Sequence, residues 1–236
     1  VVDGASVDGT VSLLESWGQR PGRQFISEPD AGIYDGMNKG LTRANAPLIW
    51  FLNAGDVFAN PESAREAAEA ITGAGTNWMF GAVVPVDACG NRMGPTLMPE
   101  ISRRRLLWGD VYLNHQALVM RTDFLRSIGG FDPNFTSAGE FDMYLRALMV
   151  EEPSCMRREI VLFRVGGISY SNPTAHLNEM KEARRRRMKL KGAKSLYNKW
   201  ITFYRLSRTR AGRKCGRAVR RRRDAYLDRR HGLKET

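Results

Sequence analysis

The stretch Leu48-Ile49-Trp50-Phe51-Leu52-Asn53-Ala54-Gly55-Asp56 carries the clearest indication of the fold. Its first five residues are apolar on both faces, and the run is too short for an amphipathic helix. It therefore predicts a central strand of a parallel sheet. The last four residues form a polar turn where the carboxyl end of that strand would be. In open α/β sheets, this edge is where ligands bind.

Helical and strand patterns alternate around this run. Helices are expected over residues 33–43 and 61–71, and strands over 78–86, 117–121 and 160–165. This alternation predicts an α/β domain with a mostly parallel sheet flanked by helices. Val1-Val2 resemble the end of a buried strand. Because the sequence opens with Val1 and not with Met, we expect a missing N-terminal part.

The charge of the chain is distributed very unevenly. Of its 236 residues, the last 56 hold 22 of the 37 Lys and Arg and 4 of the 25 Asp and Glu, a net charge of +18. The first 180 residues have a net charge of −6. We therefore divide the chain into a domain over residues 1–178 and a basic helical tail over residues 179–236, and we expect a polyanionic partner for the tail.

The cysteines and the hydropathy narrow the class of protein further. Cys89, Cys155 and Cys215 are odd in number and widely spaced, with no CxxC pair, which favours a reducing compartment over a disulfide scaffold. No apolar run approaches the roughly 18 residues that a membrane-spanning helix needs. The hydrophobic fraction of 42% is enough for a buried core.

Several segments together resemble a known family. They are Val1–Thr10, Ser27–Gly40, Phe51–Asp56, His115–Gln116, Gly129–Asp132 and Ala138–Arg146. They occur in the order found in bacterial family 2 glycosyltransferases, and the chain most resembles the group that builds exopolysaccharide and O-antigen repeat units, the colanic-acid type. The resemblance extends over roughly residues 1–170.

The resemblance implies a fold, a reaction and a cofactor. The family has the GT-A fold, a Rossmann-like sandwich that binds a nucleoside-diphosphate sugar and usually a divalent metal, Mn²⁺ or Mg²⁺. It transfers the sugar with inversion to an acceptor, which in this group is typically a lipid-linked glycan. It also implies a first strand before Val1 that is missing from this chain.

The donor-binding residues are expected in the first two matching segments. The resemblance implies that Asp3 bonds the nucleobase or ribose, since a carboxylate can accept two such donors. Asp30, Asp35 and Asn38 are further donor-site candidates. The alternative interpretation is that Asp3 only caps the turn that precedes the first helix.

The polar turn after residue 52 matches the family's metal motif in reduced form. Asp56 is the expected metal ligand, and Asn53 is expected to contact the ribose. A hard cation prefers oxygen ligands and bridges the diphosphate. His115 and Gln116 are expected near the donor sugar and the acceptor. The alternatives are an ordinary strand-to-turn exit for Asp56 and a structural role for His115.

The catalytic residues are expected at the start of the acceptor-side helix. Glu140 stands at the family's base position, where Asp is usual, and a helix N-terminus favours its ionised form. Asp142 is a second catalytic candidate. Because Arg146 lies four residues after Asp142, a helix-surface ion pair between them is an equally good interpretation.

The tail contains two arginine tetrads, at 184–187 and 220–223, interleaved with aromatic residues. This composition suits a membrane interface and also nucleic-acid phosphates. Lipid-linked acceptors favour a membrane over nucleic acid, so we expect a cytoplasmic protein held peripherally on the inner face of the membrane. Two other functions remain open, a nucleotidyltransferase of similar fold and a nucleic-acid-binding protein that uses the tail.

Overall fold

The computed structural model of the protein describes residues 1–18, 20–99, 101, 103–107, 113–166, 172–189, 195–196 and 198–202. In chain order the elements are β1 (Val2–Asp3), α1 (Thr10–Trp17), β2 (Ile26–Ser27), α2 (Ile33–Arg43), β3 (Leu48–Trp50), β4 (Val57–Phe58), α3 (Ser63–Ala74), β5 (Trp78–Val86), α4 (Arg103–Leu107), a 3-10 turn (His115–Ala117), β6 (Leu118–Arg121), α5 (Thr122–Ser127), α6 (Gly139–Leu148), β7 (Ser154–Arg164) and α7 (Pro173–Met188). The alternation of strands and helices is confirmed.

The side-chain pattern explains why these elements form. In α2 the buried residues Tyr34, Met37 and Leu41 recur at the spacing of one helix face. In β5 every residue from Trp78 to Val84 is buried, which requires cover on both faces of the sheet. The large core cluster joins α2, α6 and α7 to one face of the sheet.

The strands form two sheets in the described part of the chain. β1 and β2 pair in parallel, and the larger sheet has the order β3-β6-β5-β7-β4. Within the larger sheet only β5 and β7 are parallel, and the other three pairings are antiparallel. The helix-flanked α/β architecture is as expected, but the sheet is mixed and not mostly parallel. A buried apolar run indicates burial and does not determine the direction of its neighbour.

The position of β3 also differs from the expectation of a central parallel strand. Among the described pairings it lies at one end of the larger sheet and pairs antiparallel with β6 alone. Its run is apolar on both faces because both faces are packed. Ile49 and Phe51 contact the large core cluster. Leu48 and Trp50, on the other face, contact a second and smaller core cluster that lies beneath α3. The polar turn nevertheless follows this strand as predicted.

The predicted domain boundary at residues 178/179 falls inside α7. Leu177 on one side of it and Met180 and Ala183 on the other are buried in the same core cluster. Residues 179–188 therefore pack with the domain, and the helix continues through the change in charge. Residues 203–236 lie outside the described residues, so the basic tail beyond this point stays a prediction.

The first arginine tetrad contacts the protein itself. Arg184 is 1% exposed, and its Nε donates to Asn198 Oδ1 at 2.5 Å. Arg185 and Arg186 pair with Glu182 one turn earlier. The expected membrane contact therefore does not extend to buried Arg184, while the second tetrad at 220–223 lies outside the described residues. None of the described helices combines the length and apolar character needed to cross a bilayer.

Candidate functional site

The carboxyl ends of β1 and β2 bring together Asp3 and Ser27, with Asp30 close by. Asp3 is 7% exposed and accepts hydrogen bonds from Ser6 N at 3.0 Å, Ser6 Oγ at 2.6 Å and Ser27 Oγ at 2.7 Å. The Ser6 and Ser27 bonds lower the pKa of Asp3, so it is ionised at neutral pH. This edge presents a fixed carboxylate surrounded by hydroxyl groups.

Two glycines make room for the carboxylate of Asp30. A Cβ on Gly4 would lie 2.5 Å from Asp30 Oδ2, and one on Gly36 would lie 3.3 Å from the same atom. Gly4 and Asp30 are far apart in sequence, and they come close in space because β1 and β2 pair in parallel. Asp3 and Asp30 thus lie at one edge.

The two other donor-site candidates on α2 have different surroundings. Asp35 accepts from Ala31 N at 3.0 Å and pairs with Lys39 at 3.3 Å, and the Ala31 bond lowers its pKa. Asn38 donates to the backbone oxygen of Phe131 at 2.7 Å and accepts from its nitrogen at 2.9 Å. Both ends of the Asn38 amide are therefore used to hold α2 against the 129–131 turn.

A second cluster surrounds the turn after β3. Asn53 Nδ2 lies 3.1 Å from His115 Nε2, and Asp56 Oδ1 accepts from Arg164 N at 2.8 Å. The Gln116 side chain acts to lower the pKa of Asp56. The 3-10 turn that carries His115 and Gln116 is held by Trp50 Nε1, which donates to Gln116 O at 2.5 Å. The structure thus brings Asn53, Asp56, His115 and Gln116 together.

Burial determines the charge of the ionisable groups in this second cluster. It lowers the pKa of His115 to about 4, so the imidazole is neutral at pH 7. Burial also raises the pKa of Asp56, against the hydrogen bonds from Arg164 and Gln116. Asp56 offers a carboxylate oxygen, whereas His115 Nε2 is already bonded to the Asn53 amide. The described residues contain no cluster of three or more His, Cys, Asp or Glu that could hold a metal. A divalent ion would therefore need further oxygen ligands from a bound diphosphate.

Glu140 lies in the first turn of α6, where it meets a side chain of α2. The hydroxyl of Tyr34, which is 3% exposed, donates to Glu140 Oε2. Burial raises the pKa of Glu140 to about 7, while the Tyr34 bond acts to lower it. A Cβ on Gly139 would lie 2.8 Å from the Tyr34 ring, so glycine is needed for this approach. A carboxyl group with this pKa can exchange a proton at neutral pH.

Asp142 points elsewhere and is fully buried. It pairs with Arg146 at 3.0 Å, so the i,i+4 ion pair of the alternative interpretation is present, but it is buried and not on the helix surface. It also accepts from Arg187 Nε at 2.7 Å and from Arg187 Nη2 at 3.0 Å. Arg146 continues to the backbone oxygens of Ile128 and Gly130. The two carboxylates therefore have separate surroundings, and Asp142 joins α6 to α7.

Sequence reasoning missed three side chains that shape the site. Tyr34 contacts Glu140 across 106 positions of sequence. Arg164 at the end of β7 contacts the Gly55–Asp56 turn, and Glu179 on α7 accepts from the backbone just before α6. No local spacing indicates such long-range pairs. The sequence could indicate only that these residues lie near the end of a strand or the start of a helix.

The chain is similar to known proteins in sequence and in fold. Residues 1–131 match Glycosyl transferase family 2. An uncharacterized glycosyltransferase of Mycobacterium tuberculosis strain H37Rv is 35% identical over 188 residues, which are 77% of this chain and 69% of the relative. A PGL/p-HBAD biosynthesis glycosyltransferase of Mycobacterium bovis strain BCG is 25% identical over 159 residues, 62% of this chain and 56% of that one.

Solved structures show the same fold. S. aureus TarS 1-349 in complex with UDP-GlcNAc has a TM-score of 0.63 at 17% identity, covering 86% of this chain and 60% of that chain. The mannosyltransferase PcManGT from Pyrobaculum calidifontis in complex with GDP-Man and Mn²⁺ has a TM-score of 0.58 at 14% identity, covering 100% and 66%. This chain thus spans less than two thirds of both neighbours. The GT-A-like α/β fold, with helices flanking a sheet, is confirmed.

Proposed function

This chain belongs to glycosyl transferase family 2, and from that premise we propose that it transfers a sugar from a nucleoside-diphosphate sugar to an acceptor hydroxyl with inversion. The observation that carries the proposal is Glu140, a carboxyl group with a pKa of about 7 that Tyr34 holds at the start of α6. An inverting transfer needs one such base aimed at the acceptor.

The donor nucleoside is proposed to bind at the β1–β2 edge. Asp3 and Asp30 would accept hydrogen bonds from the base or ribose, and Asp35 would lie beside them on α2. Gly4 and Gly36 support this assignment, because their lack of a side chain leaves room for the Asp30 carboxylate at this edge. UDP-GlcNAc and GDP-Man are the donors named for the two structural neighbours, so both are suitable probes.

The diphosphate is proposed to lie by the turn after β3. Asp56 is the residue that would hold a divalent ion there, with Asn53, His115 and Gln116 beside it on the ribose and sugar side. A single carboxylate fits Mn²⁺ or Mg²⁺ only with the diphosphate completing the ligand set. When bound, the ion would neutralise charge on the leaving diphosphate.

The proposed chemistry is a single displacement. Glu140 takes the proton of the acceptor hydroxyl as its oxygen bonds the anomeric carbon, and the bond from that carbon to the diphosphate oxygen breaks. Tyr34 donates to Oε2 of Glu140, so we assign the other oxygen, Oε1, to the acceptor. Because the base acts when deprotonated, transfer should increase as pH rises through about 7.

The acceptor and the location are extensions of the same proposal. We propose a lipid-linked glycan acceptor in cell-surface polysaccharide synthesis, at the cytoplasmic face of the membrane. The name of the M. bovis relative, which refers to PGL/p-HBAD biosynthesis, supports an acceptor of this general kind. The 17 Lys and Arg among residues 189–236 support contact with anionic lipid.

The test compares Glu140→Gln with Asp142→Asn. Glu140→Gln keeps the shape and the Tyr34 contact but removes the basicity, so kcat should fall by about 10²–10⁴-fold with the donor Kd nearly unchanged. Sugar transfer and donor binding are measured for both variants.

Asp142→Asn serves as the comparison because it weakens the bonds to Arg146 and Arg187 without touching Glu140. It should lower the melting temperature, and the folded fraction should keep most of its transfer rate. Transfer at the wild-type rate by Glu140→Gln, with loss of turnover in a folded Asp142→Asn, would assign the base to Asp142 instead.

A further inference from the structure

The loop before α6 is held by a carboxylate from another helix. Glu179 of α7 accepts from Ser137 N at 2.8 Å, from Ala138 N at 2.9 Å and from Thr136 N at 3.1 Å. It also accepts from Thr136 Oγ1 at 2.5 Å. The N-cap residue Ala138 has no side chain that could cap α6. The carboxylate thus satisfies the N–H of the N-cap residue and those of the two residues before it, and its charge lies beside the partial positive charge of the helix N-terminus.

The cap is fixed because α7 is fixed. Leu177 and Met180, on either side of Glu179, are buried in the large core cluster. His176 Nδ1 lies 2.6 Å from Ser137 O, so a second side chain of α7 contacts the same loop. Loop 136–138 is therefore attached to α7 through both its N–H groups and a carbonyl oxygen.

We propose that Glu179 is a positioning residue for the proposed base, because its cap on loop 136–138 determines where the first turn of α6 presents Glu140. The inference rests on the proposed function. Glu140 follows the last capped residue, Ala138, by two positions and is held on its other side by Tyr34. The carboxyl group is thus located between a contact from α2 and a cap from α7.

The charge of Glu179 also acts on Glu140. Burial pushes the pKa of Glu179 up, but its hydrogen bonds from Thr136, Ser137 and Ala138 lower it overall, so Glu179 is ionised when Glu140 titrates. Its negative charge is one cause of the raised pKa of Glu140, after burial.

Within the described part of the chain, further groups near Glu140 have partners of their own. From α2, Tyr34 donates to it, and from α7, His176 is bonded to Ser137 O. On its own helix, Asp142 is paired with two arginines. Glu179 and Tyr34 therefore act on the proton affinity of Glu140 in opposite directions.

The test measures transfer by the full chain against pH for Glu179→Gln, Tyr34→Phe and Glu182→Gln. In Glu179→Gln the acid limb of kcat/KM should move to lower pH, and kcat should fall roughly tenfold or more as the base is displaced. In Tyr34→Phe the limb should move to higher pH, because a bond that favours the charged form is lost. Glu182→Gln makes the same change one turn along α7, where Glu182 pairs with Arg185 and Arg186, and should leave the limb unmoved.

A readout independent of turnover accompanies the profiles. Amide hydrogen exchange of residues 136–140 should accelerate in Glu179→Gln and not in Glu182→Gln. If Glu179→Gln does not fold, Glu179→Asp keeps the charge with a shorter reach, and it should retain the wild-type acid limb with a lower kcat.

The possible outcomes separate the inference from the proposed function. Unchanged exchange at 136–140, or an acid limb of Glu179→Gln equal to that of the wild type, overturns the positioning role alone. Wild-type transfer by Glu140→Gln overturns the proposed base, whatever the exchange shows.

Discussion

At the scale of single residues, the site depends on groups whose charge is set by their surroundings. Burial keeps His115 neutral and brings the pKa of Glu140 to about 7, while hydroxyl donors keep Asp3 ionised. Asp56 is the one carboxylate in the turn after β3, with 9% of its surface exposed. Three carboxyl groups of similar intrinsic acidity are therefore suited to three different tasks.

Asp56→Asn tests the metal assignment at this scale. Asparagine keeps an acceptor for Arg164 N but loses the charge that attracts a cation, so the variant should lose the Mn²⁺-dependent part of the thermal shift that UDP-GlcNAc or GDP-Man produces. Melting temperature is measured with each sugar nucleotide, with and without Mn²⁺.

Asp123→Asn is the matched control. Asp123 is exposed on α5, and within the described structure its carboxylate accepts a hydrogen bond only from the N–H of its neighbour Phe124. It should keep the full shift. An Asp56→Asn protein with the same metal-dependent shift as this control would remove Asp56 from the metal site.

The residues also indicate how far sequence reasoning reaches. The pair Asp142–Arg146 was predictable from a spacing of four on one helix, and the turn after β3 from a strand followed by polar residues. The second partner of Asp142, Arg187, lies 45 positions away and has no local signal. Asn38 shows the same limit, because its donor-site assignment came from a motif while its bonds to Phe131 depend on the tertiary fold.

At the scale of elements, the approach of α2 to α6 determines the geometry of Glu140. Tyr34 of α2 packs directly on Gly139, the first residue of α6, and the Tyr34 ring stacks on Phe131 at 5.9 Å. The two helices approach closely because the residue between them has no side chain. The prediction from sequence gave the bounds of α2 correctly and could not give this contact, since it needs both helices in place.

Gly139→Ala tests this contact. The added Cβ meets the ring of buried Tyr34 at 2.8 Å, so the ring must move and its bond to Glu140 is disturbed. We expect a loss of about 1–3 kcal/mol in the free energy of unfolding, together with reduced transfer. Urea denaturation and a transfer assay measure the two effects.

Gly73→Ala in α3 is the control, and its expected change in stability has the opposite sign. A Cβ there meets nothing within 4 Å, and alanine favours the helix, so stability should rise by about 0.5–1 kcal/mol with transfer unchanged. Equal stability changes in the two variants would contradict the close packing of Tyr34 on Gly139.

At the scale of the whole molecule, the net charge of +12 overstates what the described surface offers to a partner. Arg184 is buried, and Arg187 pairs with Asp142 and Asp132. The basic residues proposed to contact lipid are thus those further along the chain, which include the tetrad at 220–223. The composition predicted that the positive charge lies in the last 56 residues. It did not predict that the first arginines of that segment would be buried or paired within the domain.

Replacing the arginines at 220–223 by glutamine tests this proposal. Each basic residue near an anionic surface contributes about 1 kcal/mol, so the four together should weaken binding by roughly two to three orders of magnitude at low salt. Co-sedimentation is measured with phosphatidylserine-containing vesicles and with neutral vesicles. Equal binding of the wild-type chain to both kinds of vesicle would contradict the membrane contact.

The 129–131 turn has a mechanical consequence. Asn38 of α2 forms hydrogen bonds with both the N–H and the carbonyl oxygen of Phe131. Arg146 of α6 donates to Gly130 O at 2.6 Å. Through Asp142 and Arg187 the same linkage extends to α7. The three helices are therefore expected to move as one rigid body, and a hinge for admitting substrate belongs in the turns at the strand ends, not between these helices.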